Sequence, residues 1–412
     1  MNNIYGSKYH LQVGFLLTVC ASALALLVLL SACGTNPQRA GSHSSANATA
    51  TPVPHPPLQW RQVSPPSGVD FASAGVTMSP VDGHDAWICA PGSNSGFQIW
   101  RTQDGGVTWQ SESTLAPSAP LPITGCDLVA NQTSANAIAA VFTWGAGIDG
   151  TLRSRSYYSV DGGARWTQLT GDQALSSVAT SGAMTYALLM DTSTAVQNQT
   201  IALVASQDQL VSWHAIQPPG LATHDGVEEF WMTPEGGQLL AQTANNELFS
   251  SNTGGASWAP ILGPSGQAIQ VSLAASPGPG SQWYICGTVS ATHLLECSRD
   301  LGGSWSQLPL LFGTYHCNAC GKGGASVSGT ASCPPSTMTQ AEMIMVSCGS
   351  QISDINGLLQ QSAYVLYGLP HGATDWMAIG TAPGPNVLVT QTGQIWCMTS
   401  SATQMFVLDR LP

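Results

Sequence analysis

Four acidic residues have the type and placement to do acid–base chemistry: Asp127, Asp225, Glu228 and Glu229 sit on segments expected to enter or form inner strands. Two carboxylates facing each other across a cleft are enough to hydrolyse a glycosidic bond, one acting as acid and the other as base or nucleophile. The same Glu228-Glu229 pair also reads as a polar loop leading into Phe230-Trp231, the commoner role for such a pair. Trp144 falls in a long loop at 142–152 and is the candidate ligand contact, because sugar-binding surfaces present exposed aromatic rings. No Gly-rich phosphate loop, Gly-x-Ser-x-Gly elbow, His-Glu-x-x-His or calcium-loop pattern is present. Neither a cofactor nor a metal is expected.

Eleven cysteines offer a second kind of chemistry. The first 33 residues read as an export signal: Lys8 and His10 in a polar segment, an apolar run at 13–30, then Leu30-Ser31-Ala32-Cys33. That ending resembles the bacterial lipobox, whose cysteine is lipidated and becomes the new N-terminus. Cys33 is therefore the expected lipid attachment site, residues 1–32 the lipoprotein signal peptide, and the chain exported and held on the bacterial cell membrane. An uncleaved anchor is the rival reading, since 18 apolar residues can just span a bilayer. Disulfides are the default for the remaining cysteines of an exported chain. Cys286 with Cys297 and Cys89 with Cys126 are the natural pairs. Cys317-Asn-Ala-Cys320, Cys333 and Cys348 occupy the largest insertion, where zinc is the alternative to disulfides. The odd count leaves one thiol over, with Cys397 the candidate.

The segment at 33–57 is rich in Ser, Thr, Ala, Asn and Pro and reads as a disordered tether. Charged residues are only 8% of the chain, and the net charge is −12 with ten Lys plus Arg. Nucleic acid is excluded as a partner, because the cations needed to displace phosphate counterions are missing.

The elements that must position these residues are strands. From residue 58 onward, short runs of Val, Ile, Tyr, Trp and Thr alternate with Gly, Ser, Asn and Pro clusters, the all-β pattern. An octapeptide recurs: Thr102-Gln-Asp104-Gly-Gly-Val-Thr-Trp109, Ser159-Val-Asp161-Gly-Gly-Ala-Arg-Trp166 and Ser298-Arg-Asp300-Leu-Gly-Gly-Ser-Trp305. Ser206-Gln-Asp208-Gln-Leu-Val-Ser-Trp213 lacks the glycines, and Ser251-Asn-Thr253-Gly-Gly-Ala-Ser-Trp258 replaces Asp by Thr. An Asp two residues after a hydroxyl can accept backbone N–H bonds inside a tight turn, and Gly supplies the positive φ. With Trp60 and Trp376 the repeat tryptophans number seven of the thirteen in the chain, their positions differing by 49, 57, 47, 45, 47 and 71. That period suits a four-stranded propeller blade.

The octapeptide resembles the Asp-box, or bacterial neuraminidase repeat, of the superfamily that includes sialidases, xyloglucanases, sortilin-type receptors and photosystem II stability and assembly factor-like proteins. The resemblance implies a seven-bladed β-propeller over 58–412. A lone N-terminal strand after Trp60 and three C-terminal strands near 386–390, 394–399 and 404–408 would share the closing blade. It does not imply one activity, since the box is structural in these families. The sialidases among them need three convergent arginines. Here Arg101, Arg165 and Arg299 lie within or beside the octapeptides, at the blade periphery, Arg61 and Arg410 belong to the closing blade, and only Arg153 and Arg155 remain. The expectation is an envelope lipoprotein whose propeller is a non-catalytic binding or assembly scaffold for a protein or glycan. A glycoside hydrolase using Asp127, Glu228 or Glu229 is the alternative.

Overall fold

The computed structural model describes residues 57–411 apart from short segments at 93–95, 120–121, 146–151, 194–200, 220, 222–225, 234, 277–282, 290–291, 293, 310, 312, 318, 321–324, 330–336, 340, 355 and 409–410. The expected signal peptide, Cys33, nearly all of the tether, Asp225, Cys333 and Arg410 lie outside the described residues.

Within the described residues the chain forms strands and short turns and no α-helix. Seven antiparallel sheets follow one another, with inner strands Gly75–Met78, Ile123–Ala130, Gln173–Ser181, Val227–Met232, Ile269–Ala275, Thr337–Met338 and Asn386–Val389, here blades 1 to 7. Blade 7 takes its three inner strands from the C-terminal end and its outer strand, Arg61–Val63, from the N-terminal end. The protein is a seven-bladed β-propeller.

Core packing explains why the sheets form a ring. Seven apolar clusters occupy the described residues, one between each pair of neighbouring blades. The cluster of Val76, Ile88, Trp396 and Met405 joins blade 1 to blade 7, so every blade packs against two neighbours. Strands buried on both faces read as continuous apolar runs, as in the Ala86–Pro91 strand of blade 1. Closure removes the exposed faces and long edges that invite aggregation.

The repeated tryptophans latch the ring. The Trp109 indole donates to the carbonyl of Ser64 in blade 7, Trp258 to Ile216, Trp305 to Leu262, Trp376 to Pro309 and Trp60 to Thr381. Trp166 donates to the Ser113 hydroxyl. Each acceptor lies on or just past the outer strand of the preceding blade, so six of the seven outer strands are tied to their neighbour at one equivalent point.

The octapeptides build one kind of turn. Gly106 N–H donates to Thr102 Oγ1 at 2.8 Å, and Thr108 N–H to Asp104 Oδ1 at 2.9 Å. Equivalent bonds join Gly163 to Ser159 and Arg165 to Asp161, Leu210 to Ser206 and Ser212 to Asp208, and Gly302 to Ser298 and Ser304 to Asp300. Where Thr253 replaces Asp, its hydroxyl accepts from Ser257 N–H at 2.9 Å. In the turn without glycines, Gln209 and Leu210 themselves take φ of 59° and 67°.

Blade 6 departs from the repeat. Its second and third strands, Ile344–Ser353 and Leu359–Leu369, are 10 and 11 residues long. The inner strand pairs only with Ile344 and Met345. An added hairpin, Gly313–Cys317 and Ala325–Gly329, pairs with the far end at Gln351–Ser353.

Candidate functional site

Strand direction sorts the molecule into two ends. In each blade the turns after the first and third strands share one end, while the hairpins after the second strand and the links between blades share the other. The octapeptide turns occupy the first end. The added hairpin of blade 6, an inter-blade link, occupies the second, as does the start of every inner strand.

Asp127 lies mid-strand on blade 2, whereas Glu228 and Glu229 begin the inner strand of blade 4, with the inner strand of blade 3 packed between them. Glu228 is the extra residue of a β-bulge between Val227 and Glu229 and opens to solvent at the second end. Partial desolvation on the inner strand, and then the adjacent Glu229 charge, pushes its carboxyl above the usual carboxylate range. A carboxyl raised in this way suits a general acid. The ring sets it two blades from Asp127 rather than beside it.

Trp144 is not an exposed aromatic platform. It ends the second strand of blade 2 and is 1% exposed, with the Arg155 guanidinium stacked over its ring at 5.3 Å. Extending the strand through residue 144 turns the indole inward, where the sequence suggested a loop. Arg155 pairs with Asp172 at 2.7 Å, and Arg153 donates to the Ser193 carbonyl at 2.7 Å. Both arginines are thus taken up in joining blades 2 and 3. Arg101 is not peripheral: it is 6% exposed, pairs with Asp85 at 2.9 Å and reaches Asn136 of blade 2 at 2.8 Å.

The cysteines brace the ring. Cys89–Cys126 links blades 1 and 2, and Cys286–Cys297 joins directly opposed positions on two strands of blade 5. Cys317–Cys320 joins the end of the added hairpin's first strand to the turn that follows it, so this Cys-x-x-Cys is a disulfide and its two sulfurs are not free zinc ligands. Cys348 is also disulfide-bonded. Cys397 is the free cysteine among the described residues, and burial pushes its thiol up to about 12.

Two features escaped the sequence. The Gln132 amide crosses from blade 2 to blade 4, donating to Phe230 O at 2.9 Å and accepting from Met232 N–H at 3.0 Å. It therefore ties the inner strands together at the first end, opposite Glu228. The other is an open groove of about 580 Å³ on blade 6, lined by Ser328, Gly349, Ser350, Gln351, Ser362, Ala363 and Tyr364. It is built where the long strands and the added hairpin overhang blade 7. Neither carries a sequence motif, since both depend on which blades stand opposite or beside each other.

No protein-family model matches the sequence, and no curated protein matches it. Among solved structures, YCF48 bound to D1 peptide is 13% identical with a TM-score of 0.47, covering 87% of this chain and 99% of that one. YCF48 from Cyanidioschyzon merolae is 11% identical with a TM-score of 0.43, covering 85% and 96%. The GH74 xyloglucanase from Xanthomonas campestris is 15% identical with a TM-score of 0.37, covering 83% of this chain and 64% of that one. These are likenesses of fold.

Proposed function

We propose that the chain is an exported lipoprotein, anchored through Cys33, whose propeller is a non-catalytic binding scaffold of the Asp-box superfamily. The observation that carries this reading is the break in repetition at blade 6. Six blades keep close to the minimal four-stranded plan, while one spends an added hairpin and its own disulfide on extending an open sheet surface past the ring. Surface elaboration on a rigid scaffold is where recognition is usually placed. The tether at 34–57 would carry this face away from the membrane, with the ring as the rigid support.

A glycoside hydrolase is the second reading, favoured by one observation, the solvent-facing Glu228 with its raised carboxyl. It requires a second carboxylate at working distance.

Anchoring is tested on the full chain expressed in a bacterium. Wild type should partition with membranes and incorporate labelled palmitate, and Cys33→Ala should lose the label. Equal labelling of both forms would refute attachment at Cys33.

A further inference from the structure

We propose that the groove on blade 6 is a binding site for a neutral glycan chain. The inference rests on the scaffold reading and specifies its ligand.

The groove exists because of register. On the second strand of blade 6, alternate side chains face blade 7. Met345 packs into the core shared with Val387 and Ile395. Two residues on, the Ser347 hydroxyl donates to Gly384 O at 2.6 Å, in the link that leads into blade 7. Beyond that link blade 7 no longer covers the sheet, and the next two positions on the same face, Gly349 and Gln351, are exposed. Directly opposed residues share a face. Gly349 stands opposite Tyr364, and Gln351 stands between Ser362 and Ser328. The outcome is a ledge with one aromatic ring, two hydroxyls and a carboxamide.

The chemistry of the ledge selects the ligand. No lining residue is charged, and the protein's net charge of −12 disfavours an anionic polymer. Ser350 is already satisfied by the Tyr367 hydroxyl at 2.7 Å. The side chains of Ser328, Gln351 and Ser362 have no hydrogen-bond partner among the described residues and can both donate and accept. Backbone groups here are engaged with neighbouring strands, so an extended peptide cannot add as a further strand on this face. Sugar hydroxyls match paired donor–acceptor side chains, and the apolar face of a pyranose matches the Tyr364 ring. The absence of a side chain at Gly349 leaves that ring approachable from the ledge.

Gly349 also supplies a clean test, because nothing lies within 4 Å of where its Cβ would be. Gly349→Phe should fill the groove without disturbing the fold. The full-length chain in detergent is titrated calorimetrically with cello-, manno-, xylo- and chitohexaose, and with a pool of neutral hexapeptides. The proposal expects at least one hexaose to bind. Gly349→Phe should weaken that binding by about tenfold or more, and Gln351→Ala by roughly two- to tenfold, at unchanged melting temperature. Failure of every hexaose to bind at millimolar concentration would overturn it. So would binding that Gly349→Phe leaves intact, or binding of the peptides alone. Release of reducing ends in the same samples would instead refute the non-catalytic reading, and the groove would still be judged by the ratio between variant and wild type.

Discussion

At the scale of single residues, the turn aspartates show how a short motif earns its composition. Burial tends to raise the Asp104 carboxyl, but bonds from the Thr108 side chain and backbone, Thr102 and Val107 outweigh it and hold the group at about 2. A carboxyl depressed in the folded state stabilises above its unfolded value of 3.8, and that contribution disappears as pH falls from about 4 to about 2. Asp104→Asn should therefore cost about 1 kcal/mol at pH 7 by chemical denaturation, with the gap to wild type closing towards pH 2. A gap independent of pH would show that the charge contributes nothing. These residues were legible in the sequence because the turn is local: every donor lies within six positions of the first hydroxyl. Trp144 was misread for the opposite reason, since its burial depends on Arg155 across the strand pair.

At the scale of elements, strands and turns followed from alternation and Gly placement, and blades followed from the spacing of the tryptophans. The latch made by those tryptophans was not legible, because five of its six acceptors, such as Ser64 for Trp109 and Thr381 for Trp60, are backbone carbonyls of the preceding blade and leave no sequence trace. The cysteines were partly legible. Cys286 and Cys297 are close in sequence, whereas Cys89 and Cys126 meet only because blade 2 packs on blade 1. That second bridge closes a separation of 37 residues. Replacing both Cys89 and Cys126 by Ala should lower stability by about 2–4 kcal/mol in chemical denaturation, and an unchanged midpoint would deny it a bracing role. The blade 6 overhang was foreseen only as an insertion. Its position beside blade 7, which makes the groove, comes from register.

At the scale of the whole molecule, closure does two things. It packs every blade between two neighbours through seven inter-blade cores, leaving the overhanging end of blade 6 uncovered, and it fixes the two ends of the ring as separate surfaces. Glu228 and the blade 6 ledge share one of those ends, so the scaffold and hydrolase readings concern the same face and can be separated in one experiment. Neutral polysaccharides are incubated with the full-length chain and with the combined variant Asp127→Asn, Glu228→Gln, Glu229→Gln, and both retention and new reducing ends are scored. The account predicts retention without release, equal for the two proteins. Release by the wild type that the triple variant loses would contradict it and make those carboxylates catalytic.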